Sequence, residues 1–320
     1  MASETLTFRW YDVFLGDEKE AGWQHSGIDL LDDGRLVFAA PDGSTLTIQD
    51  LLSGKCQLIK TELSEMHDVV NAKDGIWICD IGHRYVSKGK QYVDRFSRSR
   101  VVKIDLQGKI TQELLQPNLE NFKVKGWSPT GITVAPNGDI WVADGYSSYL
   151  ILHFDSAGEF LGSFDGSKSG QAFNCPHTIR CQVTSDGYQL VIADRANQRM
   201  VWMKPDGEIM RIERNPFLTS PSGIARYKAG FLVTQLWGTL VYVGDDGKVA
   251  EVVSGLDIHK EKGWPNFLDA AGSPVRPRLV SGSLISPHGI TSNLAGEIFL
   301  TQWLIGGHVL RGDPESAPLA

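Results

Sequence analysis

The chain reads Asn174-Cys175-Pro176-His177-Thr178-Ile179 and, shortly after, Val191-Ile192-Ala193-Asp194-Arg195. A polar residue opens a branched, strand-like run, and a second such run closes on Ala-Asp. Short apolar runs rich in branched residues, bounded by turn residues, read as paired strands. The same phrase occurs six times. Ser26-Gly27-Ile28 leads to Leu36-Val37-Phe38, and His67-Asp68-Val69 leads to Ile76-Trp77-Ile78-Cys79-Asp80. Thr130-Gly131-Ile132 leads to Ile140-Trp141-Val142-Ala143-Asp144. After the His177 copy, Ser222-Gly223-Ile224 leads to Phe231-Leu232-Val233-Thr234-Gln235, and His288-Gly289-Ile290 to Ile298-Phe299-Leu300-Thr301-Gln302.

Most intervals between these phrases suit the ~40–50 residues of a four-stranded blade. Two are longer and require insertions, near residues 82–100 and 259–283. Asp-Gly or Asn-Gly pairs at Asp33, Asp74, Asn137, Asp186, Asp206 and Asp246 mark hairpins of the type I′ kind, which need positive φ. No long amphipathic helix interrupts the pattern. An all-β chain with six regular units is a six-bladed β-propeller, and 1–320 is one domain, because a unit cannot bury its apolar face without neighbours. Residues 5–15 (Thr5-Leu6-Thr7-Phe8-Arg9-Trp10-Tyr11-Asp12-Val13-Phe14-Leu15) form a further β-rich run ahead of the first unit. They are expected to supply the missing outer strand of the last blade and close the ring.

Composition narrows the partners. The chain has 320 residues, 42% hydrophobic, with a net charge of −7. An acidic balance gives no electrostatic reason to bind nucleic acid. No stretch approaches the ~20 apolar residues of a membrane span. The start, Met1-Ala2-Ser3-Glu4-Thr5, lacks the pattern of a secretory signal. The cysteines Cys56, Cys79, Cys175 and Cys181 make neither a metal motif nor a disulfide framework. These features predict a cytoplasmic, reduced protein.

The phrase openers are Ser26, His67, Thr130, His177, Ser222 and His288. Histidine occupies every second place. Inner strands line a propeller's channel, so alternate blades set three imidazoles about a third of a turn apart. Three converging neutral imidazoles are an open metal site of the kind zinc uses in catalysis. Imidazole also suits copper, iron and nickel. His25 stands one residue ahead of its repeat position and is expected to point elsewhere. His153 is expected on an outer face. His83 and His308 follow second strands and are candidate acid/base groups at the channel mouth.

Tyr146 and Arg195 follow second-strand aspartates in neighbouring blades. A tyrosine beside a cation can act as a base, and an arginine can hold a carboxylate or oxyanion. The structural alternative is that Tyr146 packs on its blade and Arg195 pairs with Asp144 or Asp194. The first insertion carries Arg84 and further cations among aromatic residues, and reads either as a solvated hairpin extension or as a lid that presents Arg84 to an anionic small-molecule substrate.

The wording around these residues resembles the peptidyl-α-hydroxyglycine α-amidating lyases, within the NHL-repeat six-bladed propellers. Asp144-Gly145-Tyr146, Pro176-His177-Thr178-Ile179 and Ala193-Asp194-Arg195-Ala196-Asn197-Gln198-Arg199 carry the resemblance, and Met66-His67-Asp68 and Pro287-His288-Gly289 fit it. It implies that His67, His177 and His288 hold a catalytic zinc, that Tyr146 is the base and that Arg195 helps bind substrate. The sequence departs from the family in three places. Phe38-Ala39-Ala40-Pro41-Asp42 lacks an active-site arginine, and Ser147 stands for a disulfide cysteine. Gly289 stands for an acidic residue that helps hold a structural calcium, for which Asp68 could substitute from another blade. The departures point away from amidated peptides and toward a small carbinolamide or ureidoglycolate, an N–C–OH unit. The expected activity is a zinc-dependent C–N lyase. The same ligands would serve a zinc hydrolase of an ester, lactone or amide, and the fold would also serve a binding propeller without chemistry.

Overall fold

The computed structural model describes residues 6–15, 22–88, 91–253, 267–271, 273–277 and 280–315. Six four-stranded antiparallel sheets follow one another along the chain. Blade one holds Ile28–Leu30, Leu36–Ala39, Thr45–Gln49 and Cys56–Lys60. Blade two holds Met66–Ala72, Gly75–Asp80, Arg100–Ile104 and Ile110–Leu114. Blade three begins at Gly131–Val134, blade four at Pro176–Thr184 and blade five at Pro221–Tyr227. Blade six joins Pro287–Ser292, Ile298–Gln302 and His308–Pro314 to the early strand Phe8–Leu15. Phe8 pairs with Pro314 and Leu15 with His308, so the expected closing strand is in place. The inner strands touch in cyclic order, the sixth against both the fifth and the first.

Burial explains why the blades stack. The second strands are largely apolar on both faces, as in Ile76–Cys79, and the third strands are mostly buried as well, so each blade meets its neighbours across apolar side chains. Every junction between blades has its own buried cluster. Ile48 and Ile78 lie in the cluster joining blades one and two, and Trp77 and Val142 in that joining two and three. Trp141 and Ile192 serve blades three and four, and Trp202 and Phe231 serve four and five. Leu232 and Leu300 serve five and six, and Phe38 and Phe299 seal six to one.

The hairpins differ from the expected turn type. At Asp33-Gly34, only glycine has positive φ, +83°. Gly34 N–H donates to Leu31 and Leu31 N–H to Arg35, a turn followed by one left-handed residue. Gly138, Gly207 and Gly247 repeat this arrangement. At these four the glycine is a bulge residue rather than half of a two-residue turn, whereas Gly75 and Gly187 pair with Ala72 and Thr184 across two-residue turns, and Asp74 itself takes a positive φ of 63°.

The first insertion is a separate hairpin, His83–Lys88 paired with Gln91–Phe96. It leans over Trp23–Gln24, which in turn pairs with Leu304–Ile305. The second insertion is described only in part; its described residues include the short pair Phe267–Leu268 and Pro274–Val275.

Candidate metal centre

Three breaks in strand register create the site. The pairing of inner and second strands shifts between Met66 and Asp68, between Pro176 and Thr178, and between Pro287 and Ile290. A bulge inserts a residue and re-aims its side chain. Here the displaced segments contain His67, His177 and His288, and all three rings turn into the channel. Their centroids form a near-equilateral triangle, with sides of 4.7, 4.7 and 4.9 Å. The rings meet edge to face, and each residue is buried.

The other three phrase openers hold those rings. His67 Nδ1 lies 2.7 Å from the carbonyl oxygen of Thr130, His177 Nδ1 lies 3.1 Å from that of Ser222, and His288 Nδ1 lies 3.0 Å from that of Ser26. A carbonyl only accepts, so each Nδ1 carries the proton and each Nε2 presents a lone pair. Metal-binding histidines are commonly fixed in this way. The alternation read from the sequence therefore has two halves: histidines on even blades and carbonyl holders on odd ones. Gly289 stands where adjacent inner strands meet, and a Cβ there would come 2.7 Å from the Gly27 Cα.

Burial and the Arg195 charge push His288 down to about 3, and burial likewise drives His67 and His177 well below the ordinary range. The rings are thus neutral. His288 Nε2 is buried and has no hydrogen-bond partner. An orphaned lone pair facing two others fits a divalent transition-metal ion.

His25 corrects an expectation. It does not point elsewhere: its ring lies 4.4 Å from His67 and 4.7 Å from His288, and one ligand atom from each of the four histidines falls within 4.8 Å of the others. The reason is the preceding strand. Trp23–Gln24, tied to Leu304–Ile305, carries the chain across the channel mouth, and His25 drops onto the triangle while stacking on Trp303 at 4.9 Å. It comes from the mouth rather than the ring, and repeat alignment has no column for it. His308 does not reach the mouth either. It is buried, with Nδ1 2.6 Å from Gln302 and Nε2 2.8 Å from Asp12, and ties the closing strand into blade six. His83 stands beside the mouth cavity, 3.0 Å from Asp94. His153 stacks on Trp141 and bonds Asp139, away from the channel.

Tyr146 and Arg195 meet at the triangle. The Tyr146 hydroxyl is 3.2 Å from His67 Nε2 and 3.1 Å from His177 Nε2. Arg195 donates to that hydroxyl from 3.3 Å and to Ser222 Oγ from 2.8 Å. Burial raises the phenol to about 12, against the downward pull of the arginine. Neither aspartate takes Arg195. Asp144 accepts the backbone N–H groups of Ser128 and Ser148, and Asp194 accepts that of Asn174 and the Arg199 side chain. These buried carboxylates brace the loops that carry Tyr146 and Arg195.

Arg84 sits at the edge of the site. It donates to the carbonyls of Ser64 and Pro41 and lies 3.7 Å from Glu65. Below the histidines, both oxygens of Asp68 are engaged by Arg180, at 2.9 and 3.1 Å, and by the N–H groups of Ile132 and Val69. The carboxylate suggested for calcium thus already has a cationic partner. All four cysteines are free thiols, and among the described residues no helix is long and apolar enough to cross a membrane.

The fold and the channel define a six-bladed propeller with a histidine-lined axis, and residues 127–154 match the NHL repeat. The chain is similar to peptidyl-alpha-hydroxyglycine alpha-amidating lyase 2 of Drosophila melanogaster, 33% identical over 31% of this chain and 26% of that protein. It is also similar to a probable peptidyl-alpha-hydroxyglycine alpha-amidating lyase of Caenorhabditis elegans, 28% identical over 39% of this chain and 32% of the other. These matches span about a quarter to a third of the relatives' length. A streptogramin B lyase structure shares the fold, with a TM-score of 0.61 at 16% identity, over 96% of this chain and 98% of that one.

Proposed function

We propose that the chain is a metal-dependent lyase, with zinc on His67, His177 and His288, that cleaves the C–N bond of a small N–C–OH substrate. The observation that carries this reading is the triangle of neutral imidazoles with the Tyr146 hydroxyl and Arg195 set against it. Two relatives bearing the name of an amidating lyase support the reaction type.

A metal bound there supplies Lewis-acid polarisation of the substrate oxygen. Arg195, steadied by Ser222, holds an anionic or carbonyl oxygen of the substrate. Arg84 adds positive charge at the rim. Tyr146, as the phenolate, takes the proton of the substrate hydroxyl on Oη. The electrons of that O–H bond form the C=O bond, the C–N bond breaks, and its electron pair leaves on nitrogen. The proton that Tyr146 took passes to that nitrogen, so the products are an aldehyde or keto compound and an amide, and Tyr146 returns to its starting state. With its pKa raised to about 12 the Tyr146 hydroxyl is almost wholly protonated at neutral pH, and a neighbouring cation lowers that value and so populates the phenolate that acts as the base. The four free thiols support a reducing, cytoplasmic setting.

The test is product analysis in oxygen-18 water with the zinc-loaded protein and carbinolamide or ureidoglycolate substrates. Release of the amide or urea with a carbonyl compound, and no acid formed by attack of water, supports a lyase. A labelled carboxylic acid would make the protein a hydrolase. Absence of bound transition metal after zinc loading would remove the basis of both.

A further inference from the structure

A cavity of about 530 Å³ opens beside the histidine triangle, and His25 and Tyr146 stand on the boundary between the two. Its wall is a run of rings. His25 stacks on Trp303, Trp303 lies 6.0 Å from Trp23, and Trp23 lies 5.6 Å from Tyr85. At the outer lip Phe96, on the insertion hairpin, is 77% exposed and lies flat on His83 at 4.5 Å. A large ring left in water at the mouth of a ring-lined cavity gains burial when an apolar group enters. Arg195, by contrast, does not line this cavity.

One polar group in the wall lacks its complement. Glu65 is 2% exposed, and its carboxyl meets His25 only at 3.9 Å and Arg84 only at 3.7 Å, beyond hydrogen-bond reach. One of its oxygens has no hydrogen bond. Buried carboxyl oxygens ordinarily accept hydrogen bonds. The Arg84 fork is committed to Pro41 and Ser64, which keeps it from closing on Glu65. An acceptor set in an aromatic wall suits a planar group that brings an N–H with it.

We propose that this cavity takes the nitrogen-side half of the substrate as an aromatic carboxamide, its ring among Trp23, Trp303 and Phe96 and its N–H toward Glu65. The carbonyl-forming half then lies on the Arg195 side. The choice of occupant rests on the lyase reading, since only that reaction has an amide on one side of the broken bond.

Binding of small neutral probes tests this without chemistry. Benzamide, acetamide and acetophenone are titrated by calorimetry into the full chain loaded with zinc. Benzamide should bind at least about 10-fold more tightly than acetamide, which lacks the ring. It should bind about 3- to 10-fold more tightly than acetophenone, which has the ring and carbonyl but no N–H. Phe96→Ala, at an exposed position, should weaken benzamide several-fold with an unchanged thermal transition. Glu65→Leu should erase the preference for benzamide over acetophenone. Equal affinity for benzamide and acetamide, or for benzamide and acetophenone, overturns the assignment in the wild-type protein alone. The two readings fail separately. Selective benzamide binding without cleavage of an N-aroyl carbinolamide supports the cavity assignment and counts against the lyase. Cleavage without aromatic preference supports the lyase and overturns the cavity assignment.

Discussion

The Nδ1 atom of His288 lies 3.0 Å from the carbonyl oxygen of Ser26, a contact between residues 262 positions apart. It closes the circuit in which each channel histidine is held by the opener of the next blade. Backbone carbonyls cannot be removed by side-chain replacement, so the orientation of the His288 ring depends on the ring of blades being shut.

Metal content follows from that arrangement. The wild-type chain should take up one equivalent of zinc and melt at a higher temperature when loaded, because binding to the native state alone stabilises it. His177→Ala should lose the metal and the stabilisation together. Full zinc content in His177→Ala by elemental analysis would refute the three-histidine site.

Tyr146→Phe should keep zinc and fold while lowering kcat by about 10²–10⁴, the usual loss of a general base. Arg195→Lys should raise KM more than it lowers kcat, because an ammonium cannot reproduce a two-pronged fork. Steady-state kinetics with a carbinolamide separate the two. Wild-type turnover in Tyr146→Phe would end the general-base role.

The sequence made the ring legible and the mouth illegible, for a physical reason. Repeats encode what every blade must do, so Ser26, His67 and the other openers line up and give the fold, the closing strand and the histidine triangle. They also flag Tyr146 and Arg195, which follow the same second-strand aspartates. His25 and Glu65 do jobs that only one blade needs. His25 depends on the pairing of Trp23–Gln24 with Leu304–Ile305, a contact between chain regions about 280 residues apart that no local pattern announces. Glu65 stands two residues before His67, and only the placing of Arg84 on Pro41 and Ser64 shows that one of its carboxyl oxygens is left without a hydrogen bond.

Arg180 and Asp68 should be coupled. Arg180→Met leaves the buried Asp68 carboxylate without its cation, a change expected to cost about 3–5 kcal/mol. Adding Asp68→Asn should recover part of that loss. Chemical denaturation of the two single variants and the double variant measures the coupling; additive losses would show that the pair is not one unit.

Acid should weaken blade one through Asp42. Burial works to raise its carboxyl, but bonds from Lys60, Thr45 and Ser44 outweigh this and hold it at about 2, below the ordinary 3.8. A depressed carboxylate stabilises the fold above its unfolded value and loses that contribution as pH falls through its folded value. Melting temperatures should therefore drop between about pH 4 and pH 2 partly on its account, and Asp42→Asn should flatten that part of the curve. An unchanged acid limb in Asp42→Asn would assign the loss to other groups.

Removing residues 1–15 should leave blade six with an unpaired edge at His308–Pro314. Loss of the cooperative thermal transition, or aggregation, is the expected result. A truncated chain that keeps both its melting point and its zinc would show that the strand is dispensable.

The pairing of Phe8–Leu15 with His308–Pro314 also sets a timetable for biosynthesis. The first strand emerges from the ribosome with no partner and must wait for nearly the whole chain. Blades one to five can each complete a sheet from consecutive strands as they appear. The sixth cannot, because its outer strand is Phe8–Leu15, and His288 can meet Ser26 only once the inner strand of blade six has emerged. A nascent chain thus exposes two of the three histidines long before the third arrives, and metal captured early would have to be held by an unfinished site. Pairing between distant strands is slow, so closure of the ring is expected late in folding, and closure is what brings His288 to the Ser26 carbonyl that holds it.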